Sequence, residues 1–231
     1  MILPGMSVDH NYIKQIYYSN IDLKEKNPTF KYRFSVSGGL STELRSFFDL
    51  LDQNKEVSDF YDALAQFEGN KTEMQIDTII SIKLKNTTPF NYSVTAEGTL
   101  KEALTFLNDS IVSISFENLI NHNQIESELD SIDLNYYLDY KYTDQYMIIL
   151  KFPCEIEILG FDNNNIDFKN DFGEYLFNLK IGGNNNELSL ISHYKIIKEM
   201  IPKDEYNQLK KINKLVKEIK NKRLIIKLKG S

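Results

Sequence analysis

Hydrophobic and polar residues alternate with a period of two over most of this chain. The alternation is clear at residues 30–36, 74–84, 90–96 and 111–116, and it returns in several segments between 136 and 196. Such alternation predicts half-buried β-strands. Because turn residues separate the segments at short intervals, we expect antiparallel sheets arranged as in a β-sandwich. The predicted fold class is mainly β with a few helices.

A spacing of three and four residues replaces the alternation in three places. Ser41 is predicted to cap a first helix over 41–51, and a second helix is predicted over 57–67. A third helix begins near Pro202, where a missing N–H is harmless, and a terminal strand follows at 223–228. The apolar stripe of the third helix is Tyr206, Leu209, Ile212, Leu215 with Val216, and Ile219.

A polar, acidic stretch at residues 118–133 is the best candidate for a loop between two subdomains. We therefore predict one subdomain at 1–125, with a strand, two helices and an antiparallel β segment. The second, at 126–231, contains antiparallel strands, the amphipathic helix and the terminal strand. Within it, a turn is predicted at 143–144.

Composition excludes several classes of protein. At 231 residues, with 42% hydrophobic and 26% charged residues, the chain is expected to fold as an ordinary globular protein. The net charge of −6 argues against nucleic acid, and the lysines after residue 202 fall on the polar face of the third helix. No apolar run approaches the roughly 20 residues of a membrane span.

Candidate catalytic groups are few and separated in the sequence. The single cysteine, Cys154, precedes a predicted strand instead of starting a helix, where the dipole would activate a thiol. His10, His122 and His193 show no metal-binding spacing, and His122 is placed in the polar loop. We predict no catalytic residue, no cofactor and no metal, so the chain is not expected to be an enzyme. A deep pocket lined by His193, Asp171 and Glu174 would favour an enzyme instead.

Tyrosines supply the one candidate ligand surface. Alternation predicts that some side chains among Tyr136, Tyr140, Tyr142 and Tyr146 face solvent, where they would recognise a glycan or a peptide. Packing across strands in a core is the more common use of tyrosine. The tyrosines thus leave open a binding module as the alternative function.

Five short motifs occur in an order that resembles a known family. They are residues 39–45 (GLSTELR), 150–153 (LKFP), 172–175 (FGEY), 201–206 (IPKDEY) and 224–229 (LIIKLK). Over residues 30–229 the chain resembles the region that follows the transglutaminase-like core in multidomain proteins common in Bacteroidetes. In those proteins the core lies between two domains of unknown function.

The resemblance implies a role rather than a reaction. The family's catalytic Cys, His and Asp belong to the core, and no residue of this chain matches their surroundings. The resemblance therefore implies a non-catalytic accessory β module that positions the core or its substrate. Its implied partner is the neighbouring transglutaminase-like core, and its implied location is periplasmic or exported.

Overall fold

The computed structural model describes residues 7–25, 28–42, 74–85, 87, 90–100, 102–122, 124–125, 134–161 and 165–229. This part of the chain is mainly β, so the predicted fold class is confirmed. Its strands are β1 (Tyr12–Asn20), β2 (Thr29–Ser37), β3 (Met74–Lys85), β4 (Asn91–Leu100), β5 (Leu104–Asn108), β6 (Ile111–Ser115), β7 (Tyr136–Tyr137), β8 (Tyr142–Lys151), β9 (Glu155–Leu159), β10 (Asn165–Lys169), β11 (Gly173–Gly182), β12 (Glu187–Ile196), β13 (Met200–Ile201) and β14 (Arg223–Lys229).

Eight strands form the main sheet, in the order β10-β11-β12-β8-β1-β2-β4-β3. Neighbours in the sheet are antiparallel except β1 and β8, which run parallel with Ile16 opposite Met147. Four of the strands come from each side of the predicted boundary at residue 125. The division into two subdomains stays a prediction about chain segments, but the two segments share this sheet.

Each face of the main sheet has its own environment. Every even-numbered residue of β8 and β12 is buried, whereas the odd-numbered residues are half-buried or exposed. We call the buried face the inner face and the opposite one the outer face. Because the side-chain period of a strand is two, register alone decides which residues enter the core.

The C-terminal helix, Tyr206–Lys220, packs its apolar stripe into the same core as the inner face. The predicted stripe is confirmed: its buried hydrophobic residues are Tyr206, Leu209, Ile212, Val216 and Ile219. The predicted terminal strand is also confirmed as β14. It lies between β6 and β9 in a four-stranded sheet of order β5-β6-β14-β9. Beside this sheet, the ring of Phe116 meets Phe177 of β11 with 5.6 Å between centroids.

The first predicted helix begins two residues before its expected cap. Residues 39–42 are helical, and Gly38 precedes them with φ of +74°, which favours glycine. Ser41 therefore lies inside the first turn, where its hydroxyl donates to the carbonyl oxygen of Gly38 at 2.7 Å. The rest of this helix and the helix predicted at 57–67 lie outside the described residues. No helix in the described part of the chain has the length and hydropathy to span a membrane.

Candidate functional site

Three side chains of the residue types found in serine hydrolases meet on the inner face. Nε2 of His122 lies 2.7 Å from Oγ of Ser192, and Nδ1 of His122 lies 3.5 Å from Oδ2 of Asp144. In a hydrolase, a histidine in this position is the general base of the serine, and the carboxylate orients its ring. We call these residues the inner-face triad.

The register between β8 and β12 brings two members of the triad together. Tyr146 lies opposite Ser192 and Asp144 opposite Tyr194, so Asp144 and Ser192 are diagonal neighbours on one face. His122 comes from the segment after β6. That segment is held against the sheet by the hydroxyl of Tyr146, which donates to the carbonyl oxygen of Asn121 at 2.7 Å.

All three side chains of the triad are buried. The side chains of His122 and Asp144 are 0% and 2% exposed, and Ser192 is 0% exposed. Oγ of Ser192 also lies 3.1 Å from the hydroxyl of Tyr175. A nucleophile needs room for a reacting atom about 3 Å away. With Ser192, His122 and Asp144 all buried, the triad is a polar network inside the core.

Aromatic rings enclose the imidazole of His122. Its centroid lies 5.1 Å from the ring of Tyr146, 6.0 Å from Tyr175 and 5.8 Å from Tyr194. Burial raises the pKa of Tyr175 and of Tyr194 well above the ordinary value. Their hydroxyls therefore remain neutral hydrogen-bonding groups at pH 7.

A second polar network lies beside the triad around Gln15 of β1. Its Oε1 accepts hydrogen bonds from the hydroxyls of Tyr17, at 2.9 Å, and Tyr32, at 3.1 Å. Its Nε2 donates to the hydroxyl of Tyr146 at 2.7 Å. Since buried amides are costly unless paired, these bonds explain how the inner face holds a glutamine among aromatic rings.

The four tyrosines of the predicted ligand surface do not share one face. Tyr136 is 39% exposed and Tyr140 is half-buried, but Tyr142 and Tyr146 are 4% and 1% exposed. The reason is that β8 begins at Tyr142, and its even-numbered residues point into the core. Only Tyr136 and Tyr140 have ring surface left for a ligand.

An exposed apolar patch lies beside this region instead. Tyr137 of β7 is 69% exposed and pairs with Met200 of β13, which is 42% exposed, and Leu134 nearby in sequence is 80% exposed. We call the paired residues Tyr137 and Met200 the β7–β13 patch. Clustered large apolar side chains on a surface commonly mark contacts with another protein.

The outer face carries an open cleft of about 470 Å³ across β2, β1, β8 and β12. Register places Ser35, Lys14, Gln145 and His193 in one row across these four strands. The cleft is lined by these four residues and by Asp9, Tyr12, Ile13, Ile16, Arg33, Thr143 and Lys195.

Charges in this outer-face cleft are partly compensated. Nζ of Lys195 lies 3.6 Å from Asp9 and 3.9 Å from Glu174. Burial lowers the pKa of His193 below 6.5, an effect that the nearby carboxylate of Glu174 opposes. Of the three residues whose shared pocket would have favoured an enzyme, His193 lines this cleft, and Asp171 and Glu174 do not.

Cys154 follows β8 and is half-buried against the core. Within the described residues no hydrogen bond or ion pair joins its thiol to a histidine or a carboxylate. Within the part of the chain that the structure describes, no group of three or more His, Cys, Asp or Glu is placed to hold a metal ion.

Sequence reasoning missed the inner-face triad for an identifiable reason. Asp144 is predicted in a turn and His122 in a loop, but β8 runs through Asp144 without interruption. The turn at 143–144 is therefore wrong. The available signal was the period of two over Tyr142, Asp144, Tyr146 and Ile148, in which Asp144 occupies an inward position.

One comparison with known proteins gives a match. A family model covers residues 107–226, more than half of the chain, and this segment includes all three residues of the inner-face triad. No curated protein and no solved structure matches the chain. The description of the matched family names no transglutaminase-like protein, so that part of the resemblance stays a prediction. The chain belongs to the family described as "Domain of Unknown Function with solved-structure structure (DUF3858)".

Proposed function

We propose that this chain is a non-catalytic β module that works beside a transglutaminase-like core and positions the core or its substrate. The observation that carries the non-catalytic part is the complete burial of Ser192. The identity of the partner rests on the order of the sequence motifs between residues 39 and 229. A periplasmic or exported location is proposed on the same ground.

The inner-face triad has a structural explanation that needs no reaction. A buried hydroxyl and a buried imidazole cost free energy unless they are hydrogen-bonded, and Ser192 and His122 bond each other. Asp144 lies on the other side of the imidazole. The triad thus fixes the segment around His122 against the sheet. A substrate could reach Ser192 only if the hydrophobic core around it opened.

The β7–β13 patch is the proposed contact with the transglutaminase-like core. Tyr137 and Met200 lie on paired strands, so their positions are fixed relative to each other by backbone hydrogen bonds. Aromatic residues and methionine are enriched where proteins meet. Docking of the transglutaminase-like core here would cover Tyr137, which is 69% exposed, and Met200, which is 42% exposed.

The first experiment tests for catalysis. The purified protein is treated with a fluorophosphonate probe, which modifies activated serines, and assayed for ester hydrolysis and acyl transfer to an amine. We expect no modification of Ser192 in the folded protein and no turnover, with a serine hydrolase as the positive control. Turnover that disappears in Ser192→Ala or Cys154→Ala, with the fold retained, would overturn the non-catalytic proposal.

The second experiment tests the partner. A transglutaminase-like core from a multidomain protein with this domain organisation is mixed with the chain, and association is measured by calorimetry. We expect binding that weakens at least tenfold in a Tyr137→Ser, Met200→Ser double variant. Leu107→Ser is the matched control, because Leu107 is 58% exposed on β5. Absence of binding, or equal weakening by the control, contradicts the accessory role.

A further inference from the structure

Two cations of the outer-face cleft form no ion pair with the described part of the chain. In the described part of the chain no carboxylate lies within ion-pair distance of Lys14 or Arg33, whereas Lys31 pairs with Glu97 and Lys195 with Asp9 and Glu174. Lys14 lies opposite Ser35, so Arg33, two residues earlier on β2, is its diagonal neighbour on the same face. Such neighbours are roughly 7 Å apart, close enough to hold one anionic group between them.

Neutral polar side chains complete the lining. The side chains of Ser35, Thr143 and Gln145 form no hydrogen bond with the described part of the chain, and all three line the cleft. Hydroxyl and amide groups both donate and accept hydrogen bonds. A ligand rich in hydroxyl groups would therefore find partners of both kinds beside the two cations.

The shape of the site favours a saccharide over a peptide. The cleft lies on the face of a sheet, where β1 is already paired with β2 on one side and β8 on the other. An extended peptide that binds by adding a strand needs a free edge, and this face offers none. The volume of about 470 Å³ lies within the ordinary range of small-ligand sites.

We propose that the outer-face cleft binds an acidic saccharide, with its carboxylate between Lys14 and Arg33 and its hydroxyl groups on Ser35, Thr143 and Gln145. This inference goes beyond the accessory role and holds whether or not a transglutaminase-like core is the partner. Arg33 would donate two hydrogen bonds to the carboxylate from its planar guanidinium, and Lys14 would add a second positive charge.

His193 supports the same site from β12. It lies opposite Gln145, and its Nε2 has no hydrogen-bond partner in the described residues. Burial keeps the pKa of His193 below 6.5, so the imidazole is neutral at pH 7. Since Nε2 is closed to solvent, Nδ1 is the ring nitrogen that a hydroxyl group of the ligand would meet. A neutral imidazole beside two cations fits a ligand with one charged end and an uncharged body.

The test uses the intact chain and a panel of oligosaccharides. Calorimetry compares oligomers of galacturonate, glucuronate and sialic acid with neutral oligomers of galactose and with a glutamate peptide. We expect at least one acidic saccharide to bind at least tenfold more tightly than the neutral oligomer, with affinity that falls as salt is added. The double variant Lys14→Gln, Arg33→Gln should lose at least tenfold in affinity.

The matched control removes the same two charges elsewhere. Arg223 and Lys227 are exposed residues of β14 in the four-stranded sheet, so Arg223→Gln, Lys227→Gln should leave the affinity unchanged. Failure of every acidic saccharide to bind, or equal losses in the two double variants, overturns the proposal. Tighter binding of the glutamate peptide than of any saccharide also overturns it, in favour of an acidic peptide.

Discussion

The two faces of the main sheet treat polar residues in opposite ways, although the same strands build both. Asp144 and Ser192 lie in the sealed triad of the inner face, while Gln145 and His193, the next residues along β8 and β12, line the open cleft of the outer face. A step of one residue along a strand thus decides whether a polar side chain is buried in a structural network or open to a ligand. The residue types of a catalytic triad therefore do not identify an active site unless a substrate can reach them.

The physical reason lies in the cost of burial. On the inner face each polar group is placed among aromatic rings, so it costs free energy unless another protein group pairs with it. The hydroxyls of Tyr17 and Tyr32 meet this need by donating to Gln15. On the outer face water can satisfy Lys14 and Arg33, so these side chains stay available to a ligand.

The largest expected effect is unfolding at alkaline pH, through the buried tyrosines of the inner face. Burial raises the pKa of its tyrosines above the ordinary value of 10.0. A raised folded-state pKa means that the stabilisation is complete below pH 10 and is lost as pH rises above it, by up to about 1.4 kcal/mol per pH unit for each tyrosine. The tyrosines concerned are Tyr92, Tyr142, Tyr175 and Tyr194.

We expect these tyrosines to ionise only as the protein unfolds cooperatively, within about two pH units above pH 10. Tyrosinate absorbance and near-ultraviolet circular dichroism, recorded on the same samples, should change together. Gradual ionisation of every tyrosine while the folded spectrum persists would show that the inner face is not sealed.

Mutation of His122 and of His193 compares the contributions of the inner and outer faces to stability. His122→Ala removes an imidazole that contacts three tyrosine rings and bonds Ser192, so the free energy of unfolding should fall by about 3–5 kcal/mol. His193→Ala removes a half-buried imidazole and should cost about 1 kcal/mol or less. Urea unfolding measures both. Equal losses would contradict the difference between the faces.

Removal of single tyrosine hydroxyls compares buried and exposed positions with smaller expected changes in stability. Tyr194→Phe removes the buried hydroxyl that donates to Oδ1 of Asn213 at 2.9 Å, which should lower the unfolding free energy by about 1–2 kcal/mol. Tyr18→Phe removes an exposed hydroxyl that donates to Asn20, with an expected change of about 0.5 kcal/mol or less. A loss in Tyr18→Phe as large as that in Tyr194→Phe would argue against this account.

Local pattern predicted most of the fold because strands and helices with one buried face carry their period in the sequence. The stripe of the C-terminal helix and the strand β14 follow from spacing alone. The parallel pairing of β1 with β8 does not, because it joins residues more than a hundred positions apart. Nothing in the local pattern records which distant strand will be the neighbour.

The sites were harder to predict because each is assembled from several strands. His122 stands in a polar stretch, and its burial depends on tyrosines from β8, β11 and β12. Lys14 and Arg33 look like ordinary solvent-facing residues of amphipathic strands. That neither forms an ion pair within the described part of the chain becomes visible only when register places β1, β2 and β8 side by side.

The smallest expected effect concerns His193, and it sharpens the comparison at the boundary between the faces. Burial lowers the pKa of His193 below 6.5, opposed by Glu174 and assisted by Lys195. A lowered folded-state pKa means that the stabilisation is present above pH 6.5 and is lost as pH falls through the folded-state value. We expect the unfolding free energy of the protein to show this acid-side decrease and His193→Gln to remove it, as measured by urea unfolding between pH 7 and pH 5. An imidazole of His193 that titrates by NMR at or above 6.5 would show that this part of the cleft is fully hydrated. In that case it would offer a ligand no desolvated partner.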